Sequence, residues 1–424
     1  MTTRDVRSAI EAVWRIESAR LIAGLARMVR DVGVAEDLAQ EALVAALEQW
    51  PESGVPDNPG AWLMGTAKHR AIDRLRRAEV HERKTQELGR EAELRGWIEA
   101  PDLAAAIDDP FDDDLLRLVF TTCHPVLSTD ARVALTLRLL GGLTAKEIAR
   151  AYLVSESTIA QRIVRAKRTL SAARVPIEVP ARDELDGRLA SVLEVIYLIF
   201  NEGYAATAGE DWIRPELIDE ALRLGRILAE LLPSEPEVHG LLALMELQAS
   251  RLRARTGPSG DPVLLLDQDR ARWDWLLVRR GLTALERAQS TGGAVGPYTL
   301  QAAIAACHAR APVAEDTDWQ RIVALYDALA QVAPSPVVEL NRAVAVGMAF
   351  GPEAALELVD ALDSEAALRD YHLLPTVRGD LLAKLGRNDE ARVEFERAAS
   401  LTQNSREQAV LVDRIAACAP QDGS

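Results

Sequence analysis

An all-α fold follows from three observations. Ala, Leu, Arg and Glu dominate the 424 residues. No segment alternates apolar and polar residues in the two-residue rhythm of a half-buried strand. Apolar residues instead recur at three- and four-residue spacing in each segment read below. The length predicts two to four domains.

Bulk properties exclude several classes. No apolar stretch approaches a membrane span, and the N-terminus lacks the apolar core of a signal peptide. Cys123, Cys307 and Cys418 are far apart and odd in number, which suits a reducing cytoplasm and neither a disulfide framework nor a zinc site. The six histidines are scattered, and no nucleotide loop, metal-ligand cluster or nucleophile motif is present. No cofactor or metal is expected, and no enzymatic chemistry.

Net charge is −16, which argues against nucleic acid until the chain is divided. Residues 1–175 carry 25 Lys+Arg against 26 Asp+Glu, whereas residues 176–424 carry 24 against 39. The acidity belongs to the C-terminal part. The N-terminal part keeps local basic stripes that can meet phosphates.

Residues 14–50 read as two helices, the second over Val34–Trp50. Leu38, Ala42, Ala45, Ala46 and Leu47 form its apolar stripe, and Asp37, Gln40, Glu41 and Glu48 a polar one. After a break at Pro51, Pro56 and Pro59 comes a helix over Asn58–Arg77 that buries Trp62, Leu63, Ala67, Ala71, Ile72 and Leu75. It presents Lys68, His69, Arg70, Arg74, Arg76 and Arg77, with Asp73 its one acid. Many cations near a tryptophan suit melted nucleic acid, where bases stack and phosphates pair. A core anchor is the plainer role for Trp62. Glu99–Asp114, with Asp108, Asp109, Asp112, Asp113 and Asp114, reads as an acidic tether.

Leu143–Leu170 reads as a helix-turn-helix. Thr144 and Glu147 form a T-x-x-E capping box. Ile148, Ala149 and Tyr152 follow at helical spacing, Val154 and Ser155 make the turn, and a second helix starts near Glu156. Ile159 and Ile163 face inward, leaving Gln161, Arg162, Arg165 and Arg168 outward. Thr158–Arg174 holds five basic residues and no acidic one. A helix in a major groove needs cations for phosphates and polar groups for base edges. An ordinary helical hairpin with a solvated basic face is the alternative.

Val175–Gly187 reads as a hinge before the strongly apolar Leu189–Phe200, and Pro215 suits a first helical position. The last 130 or so residues carry a weak repeat. Gly379, Leu382, Gly386, Ala391, Phe395 and Ala398 occupy the small and bulky positions of a tetratricopeptide repeat. Ala355 lies 36 residues before Ala391 and Ile322 lies 33 before Ala355, while Tyr326, Leu329 and Pro334 extend the earlier unit. Such a period predicts stacked helix pairs.

The order of AEDLAQEAL, AWLMGTAKHRAIDRLRR, an acidic linker and LTAKEIARAYLVSESTIAQRIVRAKRTL resembles the sigma-70 family of bacterial transcription initiation factors. It is most similar to the compact extracytoplasmic-function class. The resemblance covers about the first 172 residues. It implies that Asp37, Gln40 and Glu41 contact core RNA polymerase, at the β′ clamp helices, with the β flap as a second contact. It implies that Asn58, Trp62, Lys68, His69, Arg70, Asp73, Arg74 and Arg77 open and read a −10 element. Ser155, Glu156, Ser157, Thr158, Gln161, Arg162, Arg165, Lys167 and Arg168 would read the −35 element as duplex. Leu153 stands where the family's turn often carries glycine, so a differently shaped or strained turn is expected there. The implied boundaries are region 2 over 10–80, a linker over 81–114, region 4 over 115–172, a helical extension over 180–285 and repeats over 286–420.

Thr121–Pro125 (TTCHP), Phe200–Tyr204 (FNEGY) and Asp211–Arg214 (DWIR) are similar to blocks of a group whose C-terminal region replaces a separate anti-sigma protein. That implies regulation by the extension, by packing on the DNA-binding domains or by recruiting a protein partner through the repeats. For Cys123 and His124, interdomain packing is favoured over metal binding. Two rival readings stay open. One is a helix-turn-helix regulator sensing a ligand or peptide through its repeats; the other is an enzyme with an accessory DNA-binding module.

Overall fold

The computed structural model describes residues 3–88, 111–152, 154–204, 213–257, 263–290, 292, 295–402 and 404–418. Its regular elements are helices, with no strand among the described residues. The chain divides into two compact units, residues 1–198 and 199–424.

The first unit opens with α1 (Thr3–Val29), α2 (Val32–Ser53) and α3 (Pro59–Leu88). Arg30, at φ 54°, takes the left-handed conformation that closes α1. Asp31 then caps α2, its Oδ1 accepting the N–H groups of Gly33 at 2.7 Å and Val34 at 3.0 Å. The α2 stripe of Ala35, Leu38, Ala39, Ala42, Ala45 and Ala46 is buried, and its small side chains let α1 and α3 approach closely. Leu47, expected in that stripe, is 41 % exposed. One residue past Ala46 is a turn of about 100° around the helix, which carries it to the outer face. Trp50 closes the stripe and meets Trp62 edge-on at 5.3 Å.

Next come α4 (Phe111–Thr122), α5 (Thr129–Leu139), α6 (Ala145–Ala151) and α7 (Glu156–Ala172). The expected tether at 81–114 is shorter than the charge run suggests, because α3 continues to Leu88 and α4 starts at Phe111. Asp108 and Asp109 lie outside the described residues. Asp114 is not tether at all. It is 4 % exposed in α4 and ion-paired to Arg27 of α1 at 3.1 Å and Arg117 at 2.7 Å. The capping box forms, with Glu147 N–H donating to Thr144 Oγ1 and Thr144 N–H to Glu147 Oε2. Ile148 and Ala149 of α6 are buried, as are Ile159, Ile163, Ala166 and Leu170 of α7. Leu153, in the turn between them, lies outside the described residues.

The expected hinge at 175–187 ends early, since α8 (Arg182–Tyr204) begins inside it. The first part of α8 belongs to the first unit and seals the TTCHP turn. Arg188 donates to the Phe120 carbonyl at 2.8 Å and Ser191 Oγ to the Cys123 carbonyl at 2.6 Å. Arg132 of α5 pairs with Glu194 at 3.0 Å and also bonds Ser191. These bonds satisfy carbonyls exposed at the end of α4. Cys123 is buried beneath them, its thiol near the hydroxyls of Thr122 and Thr136, and burial pushes that thiol up. His124, pushed down by burial, accepts the Val126 N–H through Nδ1.

The second unit holds α9 (Pro215–Leu231), α10 (Pro236–Ala249), α11 (Trp275–Ser290), α12 (Pro297–Arg310), α13 (Trp319–Val332), α14 (Pro336–Phe350), α15 (Pro352–Leu362), α16 (Leu373–Lys384), α17 (Asn388–Leu401) and α18 (Ser405–Ala417). Pro opens five of them, α9, α10, α12, α14 and α15, where its missing N–H costs nothing. Helix α10 is buried on nearly every side between α9, α11 and α12. From α12 onward each helix packs on the next. Ile322, Ala355 and Ala391, the expected repeat positions, are buried on α13, α15 and α17.

Close approach dominates the α16–α17 pair. A Cβ on Gly379 would lie 2.6 Å from the Phe395 ring. Ala is favoured over Gly in a helix by about 1 kcal/mol, but this overlap costs about 1–3 kcal/mol. We therefore expect Gly379→Ala to weaken local protection of α16 and α17 in hydrogen exchange. His308, on α12, is buried against Trp319 at 5.2 Å between ring centroids. Burial, and then the charges of Arg251 and Arg270, hold its pKa down at about 4. A depressed histidine is charged in the unfolded chain first, so its contribution is complete above about pH 6.5. It is lost as pH falls toward 4. Denaturation of the full chain between those values should be less pH-dependent in His308→Gln.

Candidate nucleic-acid interface

Three helix faces of the first unit hold the residues singled out in the sequence. On α2, Asp37, Glu41, Val44, Leu47 and Glu48 are exposed and follow helical spacing, so they share one outer face. Val44 and Leu47 are 51 % and 41 % exposed. The sequence reading missed both as surface residues; an apolar pair flanked by Glu41 and Glu48 was the available signal. Gln40 lies apart, half-buried, donating from Nε2 to Glu36 Oε1 at 2.7 Å.

The α3 face carries Lys68, His69, Arg70, Asp73 and Arg74, with His69, Asp73 and Arg74 exposed. Asn58 is engaged as a cap, its Oδ1 accepting the Ala61 N–H at 3.0 Å. Trp62 is half-buried against Trp50, the anchoring role, with part of its surface left outside. Arg70 reaches Glu41 of α2 at 3.4 Å. The Arg77 side chain lies outside what the structure describes.

On α7 the outer face is Glu156, Ser157, Thr158, Gln161, Arg165 and Arg168, all exposed. Ser155 is the N-cap, its Oγ accepting the Thr158 N–H at 3.1 Å. Arg162 pairs with Asp130 of α5 at 3.1 Å, beside a groove lined by Val126, Ser128, Asp130, Gln161 and Arg165. Lys167 turns the other way, onto Glu36 of α2.

Magnitudes separate these intramolecular pairs. Arg70–Glu41 and Arg162–Asp130 are solvent-exposed, worth about 0–1 kcal/mol, and a phosphate can replace the carboxylate. Lys167 is 19 % exposed and its partner Glu36 only 3 %. Leaving that carboxylate buried and short of donors costs about 3–5 kcal/mol. Among the nine α7 candidates Lys167 is therefore the one held by a buried carboxylate. Glu36 itself was missed in the sequence, although an acid between Ala35 and Ala39 of an apolar stripe was a readable anomaly.

The motifs of the extension meet each other. Glu202 of FNEGY pairs with Arg214 of DWIR, and the Arg214 N–H donates to the Gly203 carbonyl at 2.7 Å. A Cβ on Gly203 would lie 2.9 Å from the Ile218 nitrogen, so only glycine lets α8 and α9 come this close. Asp211 and Trp212 lie outside the described residues. No cluster able to hold a metal ion occurs among the described residues.

Comparison with known proteins fits this arrangement. Residues 16–80 match sigma-70 region 2 and residues 117–170 match sigma-70 region 4. Residues 188–289 match a family of unknown function, DUF6596. An uncharacterized protein of Rhizobium meliloti is 44 % identical over 401 residues, 93 % of this chain and 92 % of that protein. The ECF RNA polymerase sigma factor SigK of Mycobacterium ulcerans is 30 % identical, over 39 % of this chain and 86 % of its own length. The probable ECF RNA polymerase sigma factor SigI of Mycobacterium tuberculosis is 29 % identical, over 44 % of this chain and 67 % of its own. With regions 2 and 4 in that order, the chain belongs to the extracytoplasmic-function class of the sigma-70 family.

Proposed function

We propose that this protein binds core RNA polymerase in the cytoplasm and directs initiation at promoters carrying a −35 and a −10 element. It performs no covalent chemistry of its own. The observation that carries the reading is the set of three faces in one unit, each of the chemistry its target needs. The α2 face, with Asp37 and Glu41 around apolar Val44 and Leu47, suits the polymerase β′ clamp helices. Gln40 joins it once released from Glu36. The half-exposed Trp62 with Lys68, His69, Arg70, Arg74 and Arg77 suits melted DNA, with Asn58 and Asp73 at its edge. The α7 face suits a major groove. Glu156 accepts from cytosine, Gln161 pairs with adenine, and Arg162, Arg165 and Arg168 take guanine or phosphate. Ser155, Ser157 and Thr158 lie at the N-terminal end of α7, where phosphate oxygens bind well. Region 4 also contacts the β flap.

The acidic second unit regulates this activity. Its successive helix pairs support a tetratricopeptide-like surface for a protein partner, and its negative charge keeps it off DNA.

Run-off transcription with purified core polymerase on fragmented genomic DNA tests the reading directly. Discrete transcripts sharing upstream elements are expected; failure to bind core would leave a ligand-sensing DNA-binding regulator. Arg165→Ala should weaken −35 duplex binding by about 1–3 kcal/mol if it reads a base, and an unchanged promoter preference removes that assignment. Removing residues 199–424 preserves the α8 contacts to Cys123 and Arg132 and should raise promoter output. Lost output would make the extension a required part instead.

A further inference from the structure

An arginine withdrawn from water needs a counter-charge, because the guanidinium keeps its proton throughout the physiological range. In the second unit Arg214, Arg378 and Arg414 pair with Glu202, Glu394 and Asp380. Arg251 and Arg270 break that pattern. Each is only 9 % exposed, and among the described residues neither has a carboxylate within ion-pair distance.

Arg251 follows α10, Arg270 and Trp273 precede α11, and the packing of residues 252–254 on 270–272 brings these stretches together. Both guanidiniums lie against the Trp273 ring, Arg270 at 4.8 Å and Arg251 at 5.9 Å from its centroid. Arg251 donates to the Tyr204 hydroxyl at 3.0 Å and to Gln248 Oε1. Arg270 donates to the carbonyls of His308 and, at 2.8 Å, of Ala311. Every one of these acceptors is neutral. They leave Arg270 Nη2, Trp273 Nε1 and His308 Nδ1 buried with no hydrogen-bond partner. Glu315 and Asp316 are felt at Arg270 but form no ion pair with it. Arg255, stacked 3.6 Å over the Tyr204 ring, adds a third cation beside Arg251. A water accepts from such donors but brings no charge. One indole face offsets part of the cost of burying a cation, yet here a single indole serves two.

We propose that Arg251, Arg270 and Trp273 form a binding site for a small oxyanion, the phosphate or carboxylate group of a soluble ligand. A guanidinium fork matches the paired oxygens of either group. The indole N–H, a donor only, supplies a further bond. A small ligand fits better than a polyanion, since residues 176–424 carry 24 Lys+Arg against 39 Asp+Glu. Arg251, Arg270 and Trp273 all fall within the match to the family of unknown function. The site stands apart from the sigma-factor reading, and its binding is measured without polymerase or DNA.

Equilibrium dialysis of the full chain against labelled inorganic phosphate, and separately against acetate, tests the site at constant ionic strength. At least one probe should saturate a single site per chain with Kd below about 1 mM. The tighter probe tells a phosphate ligand from a carboxylate one. Arg251→Gln and Arg270→Gln should each weaken that binding at least tenfold, and the exposed Arg279→Gln should leave it unchanged. Arg270 also braces two carbonyls, so the wild-type titration and Arg251→Gln decide the matter should Arg270→Gln not fold. Thermal unfolding gives a readout that a packing role would not. Without anion, Arg251→Gln should melt no lower than wild type, because it removes an uncompensated charge. The bound probe should raise the midpoint of wild type and not of the variant. Absence of saturable binding to wild type, equal binding by all variants, or a lower anion-free midpoint in Arg251→Gln overturns the proposal.

Discussion

A carboxylate withdrawn from water must find donors for its oxygens, and Glu36 takes them from α2, α5 and α7 at once. Much of the first unit is arranged around that requirement. Burial of apolar surface between α1, α2 and the helices beneath them is non-directional, so it brings the pieces together without fixing their register. The ionic contacts of Glu36 and Asp114 supply direction. They also set how α7 lies, since it packs through Ile159, Ile163 and Ala166 while its Lys167 reaches α2.

Local features were the legible ones. The capping box at Thr144, the Ile159–Ile163 spacing and the alanine stripe of α2 are set by residues within a few positions of each other, and the structure has them where the periodicity puts them. Features made by distant residues were not legible. Asp114 read as part of a charge run because its partner Arg27 lies in another helix, and Glu36 meets Arg138 across 102 residues. Leu47 was misplaced for a different reason: an apolar residue at a stripe's margin needs only one step of rotation to face water. Among the site candidates, Arg165, Arg168, His69 and Arg74 stand on open faces, as an amphipathic reading requires. Asn58 and Ser155 were read as contacts and are found capping their helices, a role each can hold while presenting the outer side of the same side chain.

The blocks similar to those of extension-bearing relatives have structural uses. The TTCHP turn is sealed by α8, whose Arg188 and Ser191 meet carbonyls that α4 leaves open at its end. FNEGY and DWIR form a corner in which Glu202 pairs with Arg214 and Gly203 lets α9 start against α8. The turn and the corner fix the two ends of α8, the helix in which the division between the units falls.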